Sequence, residues 1–225
     1  MAYGTTGGPG LAAFKDMLYC AHQGYGAGGE LWYTKYDGND WSADEQIQGV
    51  SISGSPALIV YNDQLYCFYQ KQNSDNLNYL VTSDGEKWAG NEAQIRGTTG
   101  VPALAVFNGK ILCVHQGSDP AGVLRWTEFD GEKWEKDQII PNVAISGSPA
   151  LAPFENKIVC VYEGGENSHN LWYMTFDGTT WSAETEMGFG TTGGPGSAVF
   201  DNKLYCAHQG FDGDGWIWMT TAESL

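Results

Sequence analysis

Five times along the chain two polar side chains stand together: His22-Gln23, Tyr69-Gln70, His115-Gln116, Tyr162-Glu163 and His208-Gln209. A little further on comes a position that varies, Trp32, Asn78, Arg125, Trp172 and Ile217, while its neighbours Leu31 and Tyr33 hardly change in the other copies. A saccharide needs an aromatic face for its C–H surface and a few fixed donors and acceptors for its hydroxyls, and these columns supply both. Sameness at Leu31 and Tyr33 reads as packing; variation at Trp32 and its counterparts reads as a face turned to a ligand. The paired columns are open to a second reading, a hydrogen-bonded network that holds the structure together.

Other chemistries fit these residues less well. His22, His115 and His208 sit at matching repeat positions rather than at ligand spacing, and no Cys-x-x-Cys occurs, so neither a metal nor another cofactor is expected. A glycosidase needs two acids in one unique site, one of them with a raised pKa, and no repeat is set apart by unmatched carboxylates. Thr82-Ser83-Asp84-Gly85-Glu86-Lys87-Trp88 echoes the Asp-box of sialidases, but the arginine cluster that would hold an acidic sugar is reduced to Arg96 and Arg125. The expectation is a binding protein and not an enzyme.

Charge and composition narrow the partners. The 225 residues carry 11 Lys+Arg against 27 Asp+Glu, a formal charge of −16, which repels nucleic-acid phosphates and anionic lipid heads. With 42% hydrophobic residues, 9 Trp, 12 Tyr and 31 Gly, the chain can bury enough apolar surface to fold. No long apolar run suggests a membrane span, and Met1-Ala2-Tyr3-Gly4 does not open a secretory leader. An odd count of 5 Cys suggests reduced thiols, and with them a cytoplasmic or non-classically released protein.

Cys20, Cys67, Cys113, Cys160 and Cys206 are separated by 47, 46, 47 and 46 residues, as are Pro9, Pro56, Pro102, Pro149 and Pro195. That is an internal repeat. Asp37-Gly38, Asp84-Gly85, Asp130-Gly131 and Asp177-Gly178 keep the register, each followed by a tryptophan: Trp41, Trp88, Trp134 and Trp181. So does an aromatic column, Tyr33, Tyr79, Trp126, Tyr173 and Trp218. The cysteines, flanked by apolar residues, read as small filler in buried strands.

Within one repeat, Pro102 to Phe107 reads as a strand, Asn108-Gly109 as a two-residue turn, and Lys110 to Gln116 as the hairpin partner. Leu124 to Phe129 then leads through Asp130-Gly131, expected as a second tight turn, into a strand over Trp134 to Ile139. Four antiparallel strands per repeat of this length predict an all-β, five-bladed β-propeller, one domain over 1–225 with repeats at about 1–48, 49–96, 97–142, 143–188 and 189–225. Alignment of Met219-Thr220 with Met174-Thr175 leaves the fifth blade without most of its outer strand, with Met1 to Gly4 offering at most a stub. Such an edge invites a homodimer through fifth blades.

The repeat grammar, apolar-x-Cys-x-(His/Tyr)-(Gln/Glu)-Gly, then Leu-Trp-Tyr, then Asp-Gly-x-x-Trp, resembles that of the repetitive β-propeller lectins of bacteria and fungi, the fucose-binding Photorhabdus type among them. The resemblance covers the whole chain, although those lectins have more blades and a different segment between hairpins. The blade count is similar to that of the five-bladed tachylectin architecture, whose motifs are absent. What the resemblance implies is a multivalent lectin with repeat-equivalent sites for glycans or glycoconjugates. The rival is a protein-interaction scaffold using the same acidic rim.

Overall fold

In the computed structural model, residues 4–26, 28–95, 97–165, 168–211 and 215–225 are described, 91–94 by their backbone alone. Met1 to Tyr3, most of the expected stub, and Arg96 lie outside the described residues. The chain divides into two compact units, Met1–Val101 and Pro102–Leu225.

In the first unit, β1 (Gly10–Phe14), β2 (Met17–Gln23), β3 (Glu30–Tyr36) and β4 (Glu45–Ser51) pair in that order as one antiparallel sheet. A second sheet follows from β5 (Ala57–Tyr61), β6 (Gln64–Gln70), β7 (Leu77–Thr82) and β8 (Ala89–Ile95). The third sheet is β9 (Thr98–Phe107), β10 (Lys110–Gly117), β11 (Val123–Phe129) and β12 (Gln138–Ala144). The fourth is β13 (Ala150–Phe154), β14 (Lys157–Glu163), β15 (Asn170–Phe176) and β16 (Thr185–Gly190). The last has three strands among the described residues: β17 (Gly196–Phe200), β18 (Lys203–Gln209) and β19 (Ile217–Ala222), with β19 at its edge. Each repeat is thus a meander, as its turn spacing requires.

The first turn of every meander is a two-residue turn with both residues in the left-handed region. Asn108 and Gly109 have φ of 48° and 74°, and Lys15-Asp16, Asn62-Asp63, Glu155-Asn156 and Asp201-Asn202 behave alike. This is the primed geometry whose twist matches that of the flanking strands. The Asp-Gly turns differ from expectation. Only the glycine has positive φ, 102° at Gly131, and the aspartate side chain takes over the work of a backbone turn. Asp130 Oδ1 accepts the amides of Glu132 and Lys133, both at 2.9 Å, and Asp37, Asp84 and Asp177 repeat the pattern. The connection is therefore a wider loop. Trp134 meets Phe129 in a single bridge, and the last strand of that sheet begins only at Gln138.

The loop's tryptophan is spent on packing. Trp134 and Trp181 stack on Phe129 and Phe176 of their own sheets at 4.9 and 4.8 Å. In the first unit Trp88 of the second sheet stands edge-on to Tyr33 of the first, 5.7 Å away. In the second unit Trp181 of the fourth sheet meets Trp126 of the third at 6.2 Å. These rings join neighbouring sheets, and removing one leaves a cavity costing about 3–5 kcal/mol. Strands β6, β10 and β14 are buried on both faces, so their small cysteines, Cys67, Cys113 and Cys160, fill closed space.

Candidate functional site

Pairing across the second and third strands of each sheet sets which columns meet. His22 faces Trp32, Tyr69 faces Asn78, His115 faces Arg125, Tyr162 faces Trp172, and His208 faces Trp218. The last of these corrects the sequence alignment. Cys206 pairs with Thr220 as Cys160 does with Met174, so Trp218, not Ile217, belongs to the variable column. Matching the Met-Thr dipeptides shifts the end of the chain by one residue; the hydrogen-bonded ladder counts from the hairpin instead.

The third-strand side chain lies back over the glycine that ends the motif. A Cβ on Gly24 would stand 2.7 Å from Trp32 Nε1, one on Gly164 2.9 Å from Trp172 Nε1, and one on Gly117 2.8 Å from Arg125 Nε. Real Cβ atoms do not approach that closely, so these positions must be glycine for the ring or guanidinium to seat. In the second repeat the matching residue is Lys71, and its partner is the short Asn78.

A group absent from the sequence reading completes the arrangement. His22 Nε2 faces Asp44 Oδ1 at 3.1 Å, His115 Nε2 faces Asp137 Oδ1 at 3.1 Å, and the Tyr162 hydroxyl donates to Glu184 Oε1 at 2.6 Å. Asp137 Oδ2 also accepts from Arg125 Nη1 at 3.4 Å. Burial first, then the Glu184 bond, push the Tyr162 hydroxyl far above the usual phenol range, so it stays a donor. Each acid lies 22 residues beyond its partner, and that constant separation is the signal that could have revealed it.

The expected site residues divide into three kinds of place. Gln23 donates to Ile52 O at 2.6 Å and accepts from Thr6, Gln116 donates to Ile145 O at 2.5 Å, and Gln70 donates to Ser74 O at 2.9 Å. Those amides tie loops to sheets. Tyr69, Asn78, His115 and Tyr162 are buried, as is Glu163, which holds His169 Nδ1 at 2.9 Å. Arg125 and Trp172 are half-buried, and Gln209 is exposed. His22 and Trp32 come together with Asp44, Glu30, Gln46 and Tyr25 around an open cleft of about 350 Å³. His208 and Trp218 form its counterpart with Phe211, Phe189 and Gly190, about 370 Å³.

The two clefts share their rings, their histidine and their glycines, while Glu30, Asp44 and Gln46 line the first alone. Tyr25 and Phe211 are 80% and 53% exposed and lean over Gly4 and Gly190, where a Cβ would come within 2.6 and 2.7 Å of the aromatic Cβ. Each cleft sets an exposed ring from the loop after the second strand beside a third-strand tryptophan and a buried histidine. The third, fourth and second repeats carry Ser118, Gly165 and Gln72 at the loop position and so lack the first ring. In the last repeat the buried Nδ1 of His208 has no partner among the described residues, whereas His22 and His115 turn Nδ1 to the carbonyls of Gln23 and Gln116. Among the described residues no three His, Cys, Asp or Glu are grouped so as to hold a metal ion.

No protein-family model matches the chain, and no curated protein does. Solved structures do. A protein of unknown function from Dyadobacter fermentans superposes with a TM-score of 0.72 at 14% identity, over 95% of this chain and 77% of that one. The fucose-recognising lectin of Aleuria aurantia, a six-bladed β-propeller, gives 0.68 at 14% identity, over 95% and 77%. An α-L-arabinofuranosidase of Clostridium thermocellum gives 0.64 at 12% identity, over 96% and 94%. The fold is a β-propeller made of four-stranded antiparallel sheets, shared by sugar-binding and sugar-cleaving proteins.

Proposed function

We propose that this chain is a non-catalytic carbohydrate-binding protein whose competent sites are the equivalent clefts of the first and last repeats. The observation that carries this reading is the recurrence of one construction, an exposed ring and a third-strand tryptophan around a buried histidine, at Tyr25, Trp32 and His22 and again at Phe211, Trp218 and His208. Two rings around an open cleft suit the apolar faces of a pyranose, and in the first cleft Asp44, Glu30 and Gln46 offer acceptors to its hydroxyls. The lectin reading is also supported by the acids at repeat positions, since Asp44, Asp137 and Glu184 are each engaged by a neighbouring side chain rather than opposed in one unique pair.

A mutant of the Aleuria aurantia lectin is known in complex with α-methyl-L-fucoside, which makes fucosides the first class to test. Calorimetry with α-methyl-L-fucoside is expected to give a stoichiometry near two, and Trp32→Ala with Trp218→Ala to weaken each site by about 1–3 kcal/mol without unfolding. Silence of the wild type across a glycan array would overturn the lectin reading and favour a scaffold that binds a basic protein. Hydrolysis of xylotriose or of an aryl arabinofuranoside would replace it by the enzyme reading. We further propose that two copies pair along β19, whose Ile217 and Met219 are 77% and 66% exposed; light scattering that finds only monomer at high concentration would exclude it.

A further inference from the structure

In the first, third and last repeats the glutamine that ends the second-strand motif, Gln23, Gln116 or Gln209, is followed six residues later by Gly29, Gly122 or Gly215, with φ of 66°, 62° and 71°. The fourth repeat keeps the spacing and changes both residues, to Glu163 and His169. The two changes belong together. In the third repeat Gln116 Nε2 donates to Ile145 O, and a Cβ on Gly122 would stand 2.5 Å from that nitrogen and 2.8 Å from that oxygen. The amide at one position thus requires glycine at the other. A carboxylate has no proton to give a carbonyl, and Glu163, 5% exposed, instead accepts from His169 Nδ1 at 2.9 Å.

His169 keeps the left-handed backbone of those glycines, with φ of 53°. Its carbonyl accepts from Thr191 N at 2.6 Å, as that of Gly122 does from Ile145 N at 3.0 Å. A side chain in that conformation carries strain, which points to a use. The use lies in the next repeat. The imidazole stacks on Phe211, with ring centroids 4.6 Å apart and planes at 26°. Phe211 is the exposed ring of the last cleft, so one of its faces is taken by a residue of the repeat before. The bond to Glu163 sets the proton on Nδ1 and the plane of the imidazole.

We propose that His169, oriented by Glu163, is a positioning residue for the last cleft: it fixes the Phe211 ring in place, so that this cleft is assembled by two successive repeats. The ligand rests on the sugar-binding reading; the ring contact does not. A ring fixed beforehand lowers the ordering cost of binding, so its release is felt in affinity and not in stability.

Two variants separate the ring from the fold. Glu163→Gln with His169→Gly restores the pair of the third repeat, while His169→Asn keeps a residue that tolerates the left-handed region and a donor for Glu163 but removes the ring. Both are made with Trp32→Ala, so that calorimetry with α-methyl-L-fucoside reads the last cleft alone. Each is expected to leave the Tm of the Trp32→Ala parent in place and to weaken binding about three- to tenfold, the size of an aromatic pair. Made with Trp218→Ala instead, both should leave the first cleft's affinity unchanged. In protein labelled at phenylalanine ring carbons and free of ligand, the Phe211 signals should move in both variants as the imidazole ring current is lost. Last-cleft affinity equal to the parent's, a Tm lowered together with affinity, equal weakening of the first cleft, or Phe211 signals that stay in place would each overturn the proposal. A parent that binds no fucoside sinks the sugar reading instead, and the Phe211 signals then decide alone whether His169 holds the ring.

Discussion

Gly24 and Lys71 occupy the same rung of their sheets, yet only one of them could be replaced without moving a ring. Gly24→Ala places a methyl 2.7 Å from Trp32 Nε1 and 2.8 Å from its Cδ1, so the indole must leave its seat. We expect a loss of about 1–3 kcal/mol in denaturant unfolding, the range for overpacking, together with loss of fucoside binding at that cleft in calorimetry. At Lys71 the short Asn78 leaves room, and Lys71→Ala should change stability by less than about 0.5 kcal/mol in the same assay. The cysteines make a second residue-level prediction. Burial pushes the thiols of Cys67 and Cys206 up to about 12 and 11, and those of Cys113 and Cys160 higher still. Cys20 is partly exposed, its thiol raised by burial and then by Asp44. Thiol titration of the native protein should therefore label Cys20 first and slowly, and all five groups only after denaturation.

The Asp-Gly-x-x-Trp loop is the element that recurs with least change, and its aspartate does the turning. Amides of Lys87 and Glu86, with the Thr82 hydroxyl, hold the Asp84 carboxyl down at about 2, and backbone amides lower those of Asp37, Asp130 and Asp177 as well. A carboxyl whose pKa is lower in the folded than in the unfolded chain stabilises the fold above the unfolded value and ceases to do so as pH falls through the folded one. Denaturation midpoints should thus hold down to pH of about 4 and drop between about 4 and 2. Asp84→Ala should lower the midpoint at neutral pH and flatten that drop, because the variant has less to lose. A wild type whose midpoint is unchanged at pH 2 would show that these loops do not contribute.

Across the whole molecule, a formal charge of −16 and repeated clefts of one kind set the expected behaviour toward surfaces. Linking sites of one specificity raises apparent affinity by roughly 10²–10⁴ where geometry allows both to engage. On a chip bearing dense fucosides the wild type should dissociate far more slowly than Trp218→Ala, although the two bind free α-methyl-L-fucoside with the same affinity at the remaining cleft. Equal dissociation rates would show that the sites act singly. Heparin resin should not retain the protein at low salt, since its anionic chains meet a field of their own sign.

Repeat length and the meander were legible in the order of residues, because turn chemistry and the alternation of strands are local matters; that each Asp-Gly pair opens a wider loop in place of a tight turn was not, because the aspartate side chain itself takes the amides. Cysteines as filler followed from the same patterns. The pairing of His22 with Asp44, His115 with Asp137 and Tyr162 with Glu184 leaves only a constant 22-residue separation in the sequence and needs the ladder to show contact, because the register between the third and fourth strands shifts at a bulge in the first, third and fourth sheets. For that reason no count along one strand reveals the neighbour on the next. Exposure was likewise decided by packing: Tyr25 and Phe211, ordinary loop residues by sequence, overhang the two clefts. Residue type and spacing determine which groups can meet; which of them meet each other, and which meet solvent, depends on how strands slide and sheets close over one another.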